Sequence, residues 1–95
     1  MTEVRFLLFT AETEEHLTRA SANEIRQLLA NPHVTATNSR GESLTSPAVR
    51  SLLIGRTDGG RYLTVVIEAT LDPTTWLPVT AWESTAGERK MLEDS

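Results

Sequence analysis

Leu52-Leu53-Ile54-Gly55-Arg56-Thr57-Asp58-Gly59-Gly60-Arg61-Tyr62-Leu63-Thr64-Val65-Val66-Ile67 is the stretch that decides the fold. It joins two apolar runs rich in β-branched residues through Asp-Gly-Gly, the residue types a tight antiparallel turn requires. The turn is expected to place Gly59 at positive φ. Along the second run Leu63, Val65, Ile67, Ala69 and Leu71 share one face, while Tyr62, Thr64, Val66, Glu68 and Thr70 share the other. The first face is expected to meet helices. Arg56 and Arg61 flank the turn and bring two cations to one end of a sheet.

Working outward, Val4–Phe9 reads as a short strand at a sheet edge. Thr13–Ala20 reads as a short helix capped by Thr13, with acids at its N-terminus. Ser21-Ala22-Asn23-Glu24 has capping-box spacing, and Ala22, Ile25, Leu28 and Leu29 recur on one helical face until Asn31-Pro32 stops the helix. His33–Asn38 is rich in strand formers and leads into a polar loop from Ser39 to Pro47. Beyond the hairpin, Asp72-Pro73-Thr74-Thr75 makes a turn. Trp76–Glu83 forms another strand, which Pro78 marks as an edge or bulged start. Thr85-Ala86-Gly87-Glu88 is a second capping box and opens a helix through Leu92.

This order implies an α+β fold. A small antiparallel sheet of about four strands carries two N-terminal helices and a short C-terminal helix, packed mainly on one face, in a single domain spanning 1–95.

The composition is globular, with 95 residues, 39% of them hydrophobic, and a formal charge of −4. The acidic balance removes the broad attraction that a nucleic-acid binder uses, so any phosphate contact must be local. Arg50, Arg56 and Arg61 against Asp58 form the best positive patch. The chain has no cysteine, which excludes disulfides, a thiolate nucleophile and cysteine-ligated metal. No apolar run has the length of a membrane span, and the start enters a strand directly without the pattern of a signal peptide. A cytoplasmic location without membrane association is therefore expected. The histidines and carboxylates lack metal-ligand spacing, so neither metal nor cofactor is expected.

The segment Ile54-Gly55-Arg56-Thr57-x-Gly59-Gly60-Arg61 precedes an apolar strand. A later strand ends Val79-Thr80-Ala81-Trp82-Glu83-Ser84-Thr85 and is followed by Glu88-Arg89-Lys90. Glu15-His16-Leu17, the capped helix and Asn31-Pro32 complete a pattern covering most of the chain. It resembles the toxins of bacterial toxin–antitoxin pairs, in the RelE/ParE-like group and closest to its BrnT-like branch. The resemblance implies a toxin-like domain, mRNA endoribonuclease activity and a protein antitoxin as partner, with DNA engaged only through the antitoxin complex. It also implies roles for Arg56, Arg61, Glu83, Glu88 and Arg89. BrnT-like chains more often carry a basic residue where Trp82 or Glu83 stands. They also tend to have a Lys-His or Arg-His-Gly element near Arg19-Ala20-Ser21, which here lacks both His and Gly.

Metal-independent RNA cleavage needs a base for the 2′-hydroxyl, an acid for the leaving oxygen and cations for the phosphorane charge. Arg56, Arg61 and Arg89 offer the cations, because guanidinium presents a fixed fork of donors. Glu83 is the candidate base, and His16 the candidate acid–base histidine. Each also has a plainer reading. His16 reads as a solvent-facing helix residue, Glu83 as a partner for Arg89, and Glu88 as the capping-box acid. His33 reads as a strand-start residue. Trp82 and Val66 are expected on an exposed sheet face that suits a protein partner.

Two functions follow. One is a toxin with endoribonuclease activity, which requires Arg56, Arg61 and an acid or base in one phosphate-sized cleft. The other is a non-enzymatic protein-interaction module or inactive relative of the toxin fold, in which those groups stand apart.

Overall fold

The structure, a computed structural model, describes residues 4–10, 17, 20–37 and 50–94. The elements are β1 (Phe6–Leu7), α1 (Ala22–Ala30), β2 (His33–Thr37), β3 (Arg50–Arg56), β4 (Tyr62–Ala69), β5 (Thr75–Glu83) and α2 (Ala86–Glu93). The strands form one sheet in the order β1-β5-β4-β3-β2. β2, β3, β4 and β5 pair antiparallel in succession, whereas β1 runs parallel to β5.

Both capping boxes form as the sequence implies. Ser21 and Glu24 bond reciprocally at the start of α1, and Thr85 and Glu88 do so at the start of α2. Each pair satisfies amides that the first helical turn leaves without an intrahelical partner. Asn31 caps the end of α1, ahead of Pro32. Pro78 lies next to a bulge: Val66 pairs with Thr80 and Ile67 with Pro78, leaving Val79 as the extra residue of β5. A proline has no N–H for the ladder, so a displaced register absorbs it.

The main core lies between α1 and the odd face of β4. Ile25 and Leu28 pack with Leu53, Leu63, Val65, Ile67, Trp76 and Ala81, joined by Leu17 and Ala20. The odd-numbered face of β4 thus meets a helix as expected. Leu71 lies beyond the strand and is exposed.

The even face is covered as well, and here the expected fold is corrected. Thr64 is 0% exposed and Val66 5%. Trp82 is half-buried, with its indole N–H donating to Glu88 of α2. Trp82 and Val66 therefore do not form an open partner surface. α2 lies on the side opposite α1, across β3 and β2. The sheet is five-stranded, mixed and curled rather than four-stranded and antiparallel, and two helices are seen among the described residues. The expected Thr13–Ala20 helix lies largely outside the described residues. Leu17 and Ala20, its two described positions, are buried in the core and are not helical. The expected polar loop from Ser39 to Pro47 lies wholly outside them.

The physical reasons are local. The run Leu63–Ile67 is nearly all apolar, which is the pattern of a strand buried on both faces. At two residues, β1 is too short for sequence alternation to reveal its direction. Its hydrogen bonds fix it: Arg5 and Phe6 amides donate to the Thr74 carbonyl, and the Leu8 amide donates to Trp76. Among the described residues no helix is long and apolar enough to cross a membrane.

Candidate functional site

The turn between β3 and β4 is a three-residue loop with a left-handed glycine. The Thr57 amide donates to the Arg61 carbonyl at 2.8 Å, and the Gly60 amide to the Thr57 carbonyl at 3.0 Å. Gly60 has φ of 86° and is the described residue at positive φ. The requirement expected at Gly59 thus falls one residue later. A type I turn followed by a left-handed glycine gives this geometry, whereas a two-residue turn would have placed the demand earlier. Thr57 is buried, and its hydroxyl accepts the Arg61 amide at 3.0 Å.

The end of α1 holds this turn in place. Gln27 Oε1 accepts the Asp58 amide at 2.9 Å. Asn31 Nδ2 donates to the Arg56 carbonyl at 2.8 Å and to Asp58 Oδ1 at 2.9 Å. Helix-stop residues thus become ligands of a hairpin 25 positions downstream, as in the Asn31–Arg56 bond. Local sequence reading treats Asn31 only as punctuation, so this role was missed.

The two turn arginines diverge. Arg61 donates to Glu24 Oε2 at 2.6 Å and to Glu83 Oε1 at 3.3 Å. Glu24 serves two partners, since its other oxygen accepts the Ser21 amide at 3.2 Å. That backbone bond, with Arg61 beside it, holds the Glu24 carboxyl below the ordinary glutamate range against the opposing effect of burial. Glu24 foremost, and Glu83 less, hold Arg61 more firmly protonated than usual. Arg61 is thus a neutralised strut between α1 and the end of β5. Glu83 pairs with Arg61 and not, as expected, with Arg89.

Arg56 sits directly across the ladder from Tyr62. Its guanidinium carbon lies 5.7 Å from the Tyr62 ring centre, and that of Arg89 on α2 lies 4.4 Å from the same centre. These are cation–π distances, at which the ring quadrupole attracts the cation. Both arginines are exposed, and among the described residues neither has a carboxylate within ion-pair distance.

α2 delivers Arg89 because Glu88, one residue earlier, is fixed. Glu88 Oε1 accepts the Trp82 indole N–H at 3.1 Å and the Thr85 amide at 2.8 Å. Burial pushes its carboxyl up, but bonds from the Thr85 amide, Trp82 and Thr64 outweigh it and leave the group below its ordinary range.

Two clefts open on either side of Tyr62. The larger, about 490 Å³, is lined by Asn31, Pro32, Arg56, Asp58, Tyr62 and Leu92 among others. The smaller, about 270 Å³, is lined by Gly60, Arg61, Tyr62, Glu83, Ser84 and Arg89. The predicted set is therefore divided, with Arg56 in one cleft and Arg61, Glu83 and Arg89 in the other. His16 lies outside the described residues. His33 is a strand-start residue whose Nδ1 lies 2.8 Å from the Asn31 carbonyl oxygen. Among the described residues no three His, Asp or Glu side chains are grouped as a metal site.

No known family model, curated protein or solved structure matches the chain.

Proposed function

We propose that this chain is a non-enzymatic protein-binding module. The observation that carries the reading is the state of Arg61. Cleavage of a phosphodiester asks for cations free to meet developing charge, with an acid and a base in reach of the same atoms. Arg61 is instead held by Glu24 and Glu83, and the carboxylate expected to act as a base is its salt-bridge partner. Arg56 faces a different cleft. What remains at the hairpin end, among the described residues, is a firmly braced surface with two guanidiniums outside ion-pair distance of any carboxylate, which suits recognition.

Inducible expression of wild type and of Arg56→Ala/Arg61→Ala in a bacterial host, with growth and mRNA integrity read together, tests this. Normal growth and intact RNA, with both proteins soluble and folded, is the expected result. Growth arrest with RNA cleavage that the folded double variant lacks would overturn the reading in favour of a toxin endoribonuclease.

A further inference from the structure

Arg56, Tyr62 and Arg89 form a cluster whose chemistry names a partner. Each guanidinium carbon lies within 5.7 Å of one ring centre, so the two are at most about 10 Å apart. They stand in neighbouring clefts that share Tyr62 as their common wall. An extended chain crossing over Tyr62 would meet both.

We infer that this surface binds an extended acidic segment of a partner protein, with carboxylates at alternate positions seated on Arg56 and Arg89. The inference rests on the binding-module reading and supplies its partner chemistry. In an extended peptide, side chains at i and i+2 point the same way and stand about 6.6 Å apart, at roughly 3.3 Å per residue. That spacing fits the separation allowed here. Guanidinium pairs well with carboxylate through parallel N–H donors. The larger cleft adds apolar wall from Pro32 and Leu92 beside Arg56, which gives an aliphatic side chain next to the acid somewhere to sit.

A single-stranded nucleic acid would present anions at similar spacing, but its affinity relies on bases stacking on open aromatic rings. No open ring is offered at this end among the described residues. The Tyr62 ring is already covered by Arg89 at 4.4 Å and approached by Arg56. The Trp82 indole is tied to Glu88, and Trp76 is buried at 6% exposure.

A random-peptide display selection against the purified chain tests the inference, followed by affinity measurement on the enriched peptides. Enrichment of Asp or Glu at alternate positions is expected. Binding should weaken at least about tenfold in Arg56→Ala/Arg89→Ala, a loss of about 1.4 kcal/mol. It should change little in Arg26→Ala/Lys90→Ala, which removes the same charge elsewhere. Thermal melts establish that both variants are folded, and Arg56→Lys/Arg89→Lys separates loss of the donor fork from loss of charge. No enrichment, enrichment without acids, or equal binding by the Arg56/Arg89 variant would overturn the inference. So would tighter binding of a uridine octanucleotide than of the best peptide. Each of these results can occur with cellular RNA intact, which distinguishes failure here from failure of the binding-module reading.

Discussion

Gly55 is a point of close approach between the sheet and α1, and replacing it with alanine should destabilise the protein. A Cβ built there would lie 3.1 Å from Leu28 Cβ, 3.2 Å from His33 Cβ and 3.3 Å from Leu28 Cδ2. The first two atoms are attached directly to backbone, so no rotamer change moves them away. Only a shift of α1 or of β2 relieves the crowding, by a few tenths of an ångström. Two terms compete. Alanine recovers about 0.5–1 kcal/mol that glycine loses in a strand interior. Crowding a packed core costs about 1–3 kcal/mol. The second wins, because both immovable contacts belong to elements anchored elsewhere: α1 by its capping box and β2 by its ladder with β3. The expected net loss is about 1 kcal/mol for Gly55→Ala and roughly 3 kcal/mol for Gly55→Val.

For a chain of this size, 1 kcal/mol lowers the melting midpoint by about 4–8 °C. Urea titration and thermal melts followed by circular dichroism give both numbers. The displacement should also reach the site. Asn31 and Gln27 at the end of α1 hold the turn, so backbone amide signals of Asp58 and Gly60 should move in heteronuclear NMR spectra. A Gly55→Ala protein as stable as wild type would refute the close-approach argument.

The turn offers a paired test: Gly60→Ala should cost about 1–2 kcal/mol for the left-handed conformation, and Gly59→Ala should stay within about 0.5 kcal/mol. Urea midpoints in the reverse order would mean that the turn has another geometry. Acid sensitivity follows from Glu24 and Glu88, whose carboxyls titrate below their ordinary range in the folded state. Their stabilisation is complete above the unfolded glutamate pKa of about 4.3 and is lost as pH falls through the lowered folded values. Glu24→Gln/Glu88→Gln should therefore lose less stability between pH 7 and pH 3 than wild type does. Equal losses in urea titrations at the two pH values would contradict the assignment. Trp82→Phe removes the indole donor from Glu88, leaving the Thr85 and Thr64 donors, and should cost about 1 kcal/mol. Amides of α2 should then exchange faster with deuterium than in wild type while those of β4 keep their protection, and unchanged exchange in α2 would show that the bond does not anchor the helix.

Much of the local structure was legible because short-range chemistry dictates it. Ser21 with Glu24, and Thr85 with Glu88, can satisfy one another only at a helix start. Asn31-Pro32 can only end a helix. Asp58-Gly59-Gly60 between β-branched runs can only turn the chain back. Pairing across the sheet was less legible. The direction of β1 depends on which carbonyl its amides reach, and Thr74 is far away in sequence. The side chosen by α2 depends on whether Trp82 and Thr64 can bond Glu88, which a residue pattern does not display until β5 has its bulge.

The site shows the same division between local chemistry and assembly. Arg56, Arg61, Glu83 and Arg89 were all marked by residue type, and the fold brings all four to the hairpin end. Residue type did not show which cations would be neutralised. Alternation along β3 and β4 determines that outcome. Arg56 and Tyr62 are cross-strand partners on the face that receives α2, so Arg56 meets an aromatic ring and, among the described residues, no carboxylate within ion-pair distance. Arg61, one position earlier than Tyr62, turns towards the face that receives α1 and meets Glu24. One step of strand alternation therefore separates the arginine that is a strut from the arginine left for a ligand.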